Sequence, residues 1–256
     1  MLRRLNEMGL IWPALFAAAG AATLVGLGWW QLERRAWKLD LMAKIEARVT
    51  AKPVPLAEAV EAWRRSGDAE YVRVRARGRF LHDRESYVYV PGKDGPGYHV
   101  YTPLKTQDGW LVLVNRGFVP EALKSPDRRS VDQEAGEKEV IGLVRLPTEK
   151  NWFIPAGDPA QRLHFWPDHA GMLAAVSDPT DGFRPAPFFL DAVAEPGNPG
   201  GWPKGGTTRL NLPNRHLEYA LTWFGLAVAL AAVFAAFALS RLRDGAGQPS
   251  ARRPSH

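Results

Sequence analysis

Two long stretches without a charged side chain lie near the ends of this sequence and constrain its fold more than any other feature. Residues 8–32 form the first stretch and residues 219–240 form the second. The hydrocarbon core of a bilayer is about 30 Å thick, so a helix crosses it with roughly 20 largely apolar residues. Both stretches are that long, and we therefore predict transmembrane helices at residues 9–30 and 219–240.

A cleavable signal peptide is the alternative interpretation of the first stretch. Its apolar region spans about 7–15 residues and ends at a small-residue cleavage site. Here the apolar run is longer and ends in Trp29-Trp30-Gln31, without an Ala-x-Ala pattern. We therefore expect this helix to be retained. The second stretch has no such alternative, because a helix of a soluble protein is rarely apolar on every side over this length.

Basic residues in the short terminal segments predict the orientation, because long loops are exempt from the positive-inside rule. Residues 1–8 contain two arginines, and residues 241–256, whose low-complexity composition is typical of disorder, contain four. Both tails are therefore predicted to be cytoplasmic, with residues 31–218 in the periplasm and the helices in a bacterial inner membrane. Basic residues directly after the first helix favour the opposite orientation, but the loop that they open is long.

The composition excludes several kinds of site. The formal net charge of +6 would favour a nucleic-acid partner in a soluble protein. Here part of the excess lies in the arginines that flank the membrane, and a domain outside the cytoplasm meets no genome, so we expect membrane lipids and no nucleic acid as partners. The sequence has no cysteine, which excludes disulfides, thiolate metal sites and cysteine nucleophiles.

Alternating side chains predict an α+β domain with an antiparallel sheet at residues 31–218. In residues 71–80, apolar side chains alternate with arginines, as in a half-buried strand. Closely spaced strands with short turns favour an antiparallel sheet or a small barrel. Further strands are predicted at residues 86–90, 98–104, 110–118, 139–146, 187–191 and 207–212. Helices are predicted through residue 48, where the first helix continues past the membrane, and at residues 56–65 and 168–176.

Catalytic signatures are missing from the sequence. It has no G-x-S-x-G elbow, no H-E-x-x-H motif and no phosphate-binding glycine loop. His164 and His169 flank Asp168, but this spacing is unspecific and Pro167 interrupts any helix that would align them, so structural roles are preferred. A membrane-anchored periplasmic enzyme that uses His99 and Asn115-Arg116 stays an alternative. A sensor is disfavoured, because the tail after the second helix is too short for an output domain.

The start of the second apolar stretch carries the most informative polar pattern. At 100° per residue, His216, Tyr219 and Trp223 lie on one stripe of a helix. A rise of 1.5 Å per residue separates His216 from Trp223 by roughly 10 Å, close to the width of a porphyrin. Neutral imidazole is an iron ligand, and a histidine at membrane depth is by default a functional hypothesis. The alternative is that the aromatic residues are interfacial anchors and that His216 caps the helix.

The end of the first apolar stretch has a complementary polar face. Gln31, Arg34, Arg35 and Lys38 follow each other at helical spacing. If the two helices pack together, this face lies level with Arg215, and its cations would pair with carboxylates such as haem propionates. A cationic belt that binds anionic lipids is the alternative.

Several segments, spread in order over residues 28–230, together resemble the Surfeit locus protein 1 family of cytochrome c oxidase assembly factors. The matching segments are Gly28-x-Trp30-Gln31-x-x-Arg34-x-x-x-Lys38, residues 71–80 with Gly78, Gly97-Tyr98-His99-Val100-Tyr101-Thr102-Pro103, Leu113-Val114-Asn115-Arg116-Gly117-Phe118-Val119-Pro120, Gly142-Leu143-Val144-Arg145-Leu146, Pro187-Phe188-Phe189-Leu190-Asp191-Ala192, Pro199-Gly200-Gly201 and Asn214-x-His216-Leu217-x-Tyr219-Ala220-x-Thr222-Trp223.

The resemblance implies a non-enzymatic protein with two membrane spans and its domain in the periplasm or the mitochondrial intermembrane space. It implies an assembly factor that binds haem a and assists its insertion into oxidase subunit I, or a subunit I chaperone that does not hold haem. Haem a synthase is a further expected partner. The family's proposed haem contacts correspond to His216, as ligand of the haem iron, and Trp223. From the charges and the helical spacing, we expect four more haem contacts, namely Tyr219, Arg215, Arg34 and Arg35.

Overall fold

The computed structural model describes residues 9–92, 95–133, 135–194, 198–208, 210 and 212–246. They form two compact units, of which one comprises residues up to 43 and from 211 onward and the other comprises residues 44–210. In chain order the helices and strands are α1 (Ile11–Thr50), β1 (Val54–Pro55), α2 (Leu56–Ser66), β2 (Arg73–Phe80), β3 (Ser86–Gly92), β4 (Gly95–Thr106), β5 (Trp110–Pro120), β6 (Glu137–Arg145), β7 (Leu163–His164), α3 (His169–Ala174), β8 (Arg184–Ala192) and α4 (His216–Ala246).

Two of these helices, α1 and α4, are long and apolar enough to cross a membrane. The prediction of a membrane protein with two transmembrane helices and an α+β domain is thereby confirmed. Helix α1 continues far past its apolar stretch and ends at Thr50, just before Pro53. Helix α4 begins three residues before the predicted span and continues through Ala246, into the segment predicted to be a disordered tail. The predicted tail at residues 1–8, and residues 247–256, lie outside the described residues.

Small side chains let α1 and α4 approach each other closely. The ring of Phe224 covers Gly28, so that a Cβ atom added to Gly28 would lie 2.6 Å from a ring carbon. On α4, Ala220 and Ala227 are buried on the same stripe. Lipid tails are as apolar as leucine, so helices associate in a membrane through such close packing rather than through the hydrophobic effect. Close contact between the two helices therefore depends on small residues, namely Gly28, Ala220 and Ala227.

The strands form a small closed barrel. Strand β2 pairs with β6 on one side and with β4 on the other, which closes the ring β2-β6-β8-β5-β4. Most pairs are antiparallel, as predicted, but β5 and β8 pair in parallel, and so do the short strands β1 and β7 with β2 and β3. At Gly78 the backbone of β4 comes so close that a Cβ atom would collide with the carbonyl of Lys105. Gly78 thus allows β2 to pair on both sides.

The barrel interior holds the main hydrophobic core. Inward-facing residues of all five ring strands form one cluster, in which Phe188 is the largest fully buried side chain. Helix α2 packs against this cluster through Leu56, Ala59 and Val60. On β2, Val74 and Ala76 belong to this core. The neighbouring arginines of β2, which alternate with them, point outward, as the sequence pattern predicts.

The segment after β6 is less regular than the barrel. Helix α3 lies within the predicted residues 168–176, and the Asp168 carboxylate caps it by accepting from the backbone N–H of Gly171. The strand predicted at residues 187–191 is the centre of β8. The strand predicted at residues 207–212 is not formed in its described residues, and residues 209 and 211 lie outside them. Instead the Thr208 hydroxyl donates a hydrogen bond of 2.8 Å to the Asp191 carboxylate.

Candidate functional site

The polar end of the helix pair brings one predicted site residue into contact with the opposite helix. His216 begins α4 and is half-buried, and its Nδ1 lies 2.7 Å from Oε1 of Gln31 on α1. Gln31 follows Gly28 by about one helical turn, so both lie on the side of α1 that packs against α4. The close approach at Gly28 therefore lets the short glutamine side chain reach the imidazole.

A second contact holds the segment that precedes α4. The Lys38 ammonium, two turns beyond Gln31 on α1, donates a hydrogen bond to the backbone carbonyl of Pro213. Pro213 lies three residues before His216 and just outside the helix. Gln31 and Lys38 thus fix two successive points of the chain as it enters α4, and the predicted polar face of α1 does lie level with His216.

Trp223 lies two turns after His216 on the same stripe of α4. Its side chain is half-buried, and its indole Nε1 is buried without a hydrogen-bond partner in the part of the chain that the structure describes. A buried donor without an acceptor costs about 1–3 kcal/mol. Tyr219, which we expected on the same stripe, lies at its edge and is 52% exposed.

The three arginines of the predicted site are distributed around this end of the helices rather than gathered at His216. Arg34 stacks on Trp37 of its own helix, with 4.0 Å between the guanidinium carbon and the ring centroid. Arg215 is exposed and donates two hydrogen bonds to the Glu218 carboxylate, of 2.7 and 2.9 Å. Arg35 is half-buried. All three stand within two turns of Gln31 or His216 along the chain.

Inside the barrel domain the main buried polar feature is a charge cluster around Glu85. The Glu85 carboxylate pairs with the guanidinium of Arg129, and Arg116 and His82 lie 3.6 and 3.7 Å away. Burial alone would raise the pKa of Glu85, but hydrogen bonds from His82 and Arg129 and the charges of Arg129 and Arg116 lower this pKa to about 2. The carboxylate is therefore ionised at every physiological pH. We call these four residues the Glu85 cluster.

Of the three residues of the enzyme alternative, two line one cavity and the third lies elsewhere. Asn115 donates to Asp191 over 3.0 Å and, with His99, lines a cavity of about 260 Å³. Arg116, its neighbour in the sequence, belongs to the Glu85 cluster instead. Of the two histidines near Asp168, His169 packs edge-on against the ring of Phe189, and burial lowers its pKa. This packing agrees with the preferred structural role.

Comparison with known proteins identifies the family of this chain. A family model described as the SURF1 family matches residues 18–228. Surfeit locus protein 1 of Rattus norvegicus is 38% identical over 241 residues, which cover 88% of this chain and 74% of the relative. The protein of the same name from Homo sapiens is 39% identical over 225 residues, covering 81% and 71%. The chain belongs to the SURF1 family. A SURF1-like protein of Monosiga brevicollis, 35% identical, is covered over 85% of its length.

The SURF1 family is known for assembly factors of cytochrome c oxidase, which indicates a non-catalytic role. The matched residues include the end of the apolar stretch of α1, the whole barrel and the start of α4. The contact between Gln31 and His216 therefore lies within the part of the chain that defines the family.

Gln31 is the residue whose role the sequence did not reveal. It belongs to the quoted segment Gly28-x-Trp30-Gln31 and to the polar face of α1, but nothing in one sequence says which residue 185 positions away it contacts. One signal was available. An uncharged polar side chain at the end of an apolar span needs a partner, because an unsatisfied amide is costly near hydrocarbon.

Proposed function

We propose that this chain binds haem a at the polar end of the α1–α4 pair and assists its insertion into subunit I of a haem-copper oxidase. The observation that carries the proposal is the placement of His216 and Trp223 on the stripe of α4 that faces α1, at the end of a membrane-spanning segment. Membership of a family of cytochrome c oxidase assembly factors supports it.

The side chains present fit a haem. A half-buried imidazole with one nitrogen engaged by the protein retains its other nitrogen as an iron ligand, the commonest arrangement for histidine at metal sites. The indole of Trp223, roughly 10 Å further along the helix, offers a flat surface and an N–H that has no acceptor among the described residues. In our proposal His216 ligates the iron, and Trp223 and Tyr219 pack against the macrocycle.

Arginines near His216 are proposed to bind the propionates. Arg35 is half-buried and follows Gln31 by one helical turn, whereas Arg34 would leave Trp37 and Arg215 would exchange Glu218 for a propionate. Such an exchange replaces one charge-assisted hydrogen bond by another and is therefore inexpensive. When the ligand leaves, the ion pair between Arg215 and Glu218 forms again.

The distribution of basic residues supports a proposal for the location. We propose that both termini are cytoplasmic, that the barrel is in the periplasm and that the helices cross a bacterial inner membrane. Haem a synthase would then supply the cargo, subunit I would receive it, and the basic residues around the helix ends would contact anionic lipids.

Absorption spectroscopy of protein purified from cells that make haem a tests the proposal. We expect a Soret band in the wild type, its loss in His216→Ala, and an unchanged band in the matched control His164→Ala, a half-buried histidine of β7. A colourless wild type, or a His216→Ala protein with the same band, would refute haem binding at this site. If the wild type is colourless but co-purifies with subunit I, the protein is a chaperone that holds no haem.

A further inference from the structure

We propose that Gln31 is a positioning residue that holds the imidazole of His216 in the tautomer able to ligate iron. This inference rests on the proposed function and adds to it a residue from the opposite helix. The observation is the 2.7 Å contact between the amide oxygen of Gln31 and Nδ1 of His216.

The placement of the amide oxygen, rather than the amide nitrogen, against Nδ1 indicates where the proton is. An amide oxygen has only lone pairs to offer, so the hydrogen bond requires a proton on Nδ1. In a neutral imidazole the proton on one nitrogen leaves a lone pair on the other. Nε2 of His216 is then the nitrogen that can coordinate a metal. Free histidine in water populates both tautomers, so a fixed Nδ1–H removes the competing, non-ligating form.

The packing of α1 against α4 keeps this contact in place. Gly28 and Phe224 bring the helices together one turn before Gln31, and the bond from Lys38 to Pro213 fixes the chain that enters α4. Both partners are half-buried at the end of an apolar span, where water competes less for the bond than it does at an exposed site. The imidazole is therefore oriented before any ligand arrives.

A bond to the second nitrogen also tunes a histidine ligand. A stronger acceptor gives the imidazole more anionic character and stabilises oxidised iron, whereas loss of the acceptor does the reverse. Removal of such a partner typically lowers metal affinity 10- to 100-fold. The same range is expected for haem a when the acceptor of Gln31 is removed.

Two variants at residue 31 separate this role from simple packing. Gln31→Met keeps the length of the side chain and replaces the amide oxygen by a thioether sulfur, a weak acceptor, whereas Gln31→Glu keeps an oxygen acceptor and makes it stronger. The control is Gln107→Met, which removes an amide that bonds Glu137 in the barrel domain. Each full-length protein is studied in detergent, first without haem and then titrated with haem a.

Without haem, ¹⁵N NMR of histidine-labelled protein, with His216→Ala used for assignment, should show a protonated Nδ1 and an unprotonated Nε2 for His216. Gln31→Met should give mixed tautomers and 10- to 100-fold weaker haem a binding. Gln31→Glu should restore the tautomer and bring the midpoint potential below that of the wild type, with Gln31→Met above it. Gln107→Met should match the wild type throughout.

The outcomes distinguish this inference from the proposed function. If the wild type binds haem a through His216 but Gln31→Met leaves tautomer, affinity and potential unchanged, the role of Gln31 is refuted and the proposed function stands. A protonated Nε2 in the wild type without haem also refutes it. If haem a does not bind to the wild type at all, the proposed function fails, whatever the tautomer of His216.

Discussion

Replacing Glu85 by glutamine should lower the free energy of unfolding of the barrel by about 3 kcal/mol at pH 7. The figure comes from the pKa of Glu85, which falls from 4.5 to about 2 in the folded protein, at about 1.4 kcal/mol for each unit. Glutamine has the shape of the protonated acid, so the variant loses the stabilisation that belongs to the ionised form. It removes the carboxylate charge that pairs with the guanidinium of Arg129, whose side chain is 2% exposed.

The pH dependence of this difference is the sharper part of the prediction. The folded-state pKa is lowered, so the stabilisation is complete above the unfolded-state pKa and is lost as the pH falls toward 2. The wild type and Glu85→Gln should therefore differ by a constant amount above about pH 5.5 and by roughly half of it near pH 3.2. They should have nearly equal stability at about pH 1.5, where the wild-type carboxyl is itself protonated.

Urea unfolding of the full-length protein in detergent, followed by near-UV circular dichroism at a series of pH values, measures this difference directly. The control is Asp83→Asn, two residues away, whose carboxylate is 79% exposed. It should change the free energy of unfolding by less than about 0.5 kcal/mol at any pH. A difference between the wild type and Glu85→Gln that does not change from pH 7 to pH 2 would refute the reasoning.

Three further predictions concern the core, the helix pair and the orientation. Phe188→Ala should destabilise the barrel by about 3–5 kcal/mol in urea unfolding, because Phe188 is 0% exposed at the centre of the core, and a loss below about 1 kcal/mol would contradict this. In Gly28→Leu, the new side chain should collide with Phe224 and push α1 away from α4. Cysteines introduced at Gly20 and Leu230 should then form a disulfide in far lower yield than the same cysteines do in a protein that keeps Gly28. Because the sequence has no cysteine, an impermeant maleimide should label Asp83→Cys but not Ser250→Cys in intact spheroplasts, and the reverse result would overturn the proposed orientation.

Periodicity was sufficient to predict the elements whose environment is uniform along their length. The two apolar stretches predict α1 and α4, because these helices are apolar on every side. The alternation around Val74 predicts β2, because one face of this strand is buried and the other is exposed. The parallel pairing of β5 with β8 was not predictable, because the connection between them is long and irregular. Closure of the barrel at Gly78 likewise depends on a strand that pairs on both sides, which no local pattern records.

The candidate site divides in the same way. Helical spacing along α4 placed His216 and Trp223 on one stripe, and that placement is local information. The partner of His216 lies 185 residues away, whereas Arg215 and Arg34 each contact a residue three positions further along the chain. Residues that act through a second helix can be found only once the packing of the two helices is known.

The pairing of Gln31 with His216 allows structural and functional roles to be separated in one double-mutant cycle. Interhelical hydrogen bonds in membranes contribute about 0.6 kcal/mol on average and up to roughly 1.7. Gln31→Met and His216→Leu should therefore each destabilise the helix pair by about 1 kcal/mol, because each leaves the other polar group without its partner. The double variant should be nearly as stable as the wild type, because replacing both polar partners by apolar side chains leaves no polar group without a partner. The double variant should nevertheless bind no haem a, because it lacks His216, the proposed iron ligand. Folding of the helix pair is measured by titration with SDS. A double variant as unstable as the sum of the single variants would show that the contact does not stabilise the pair.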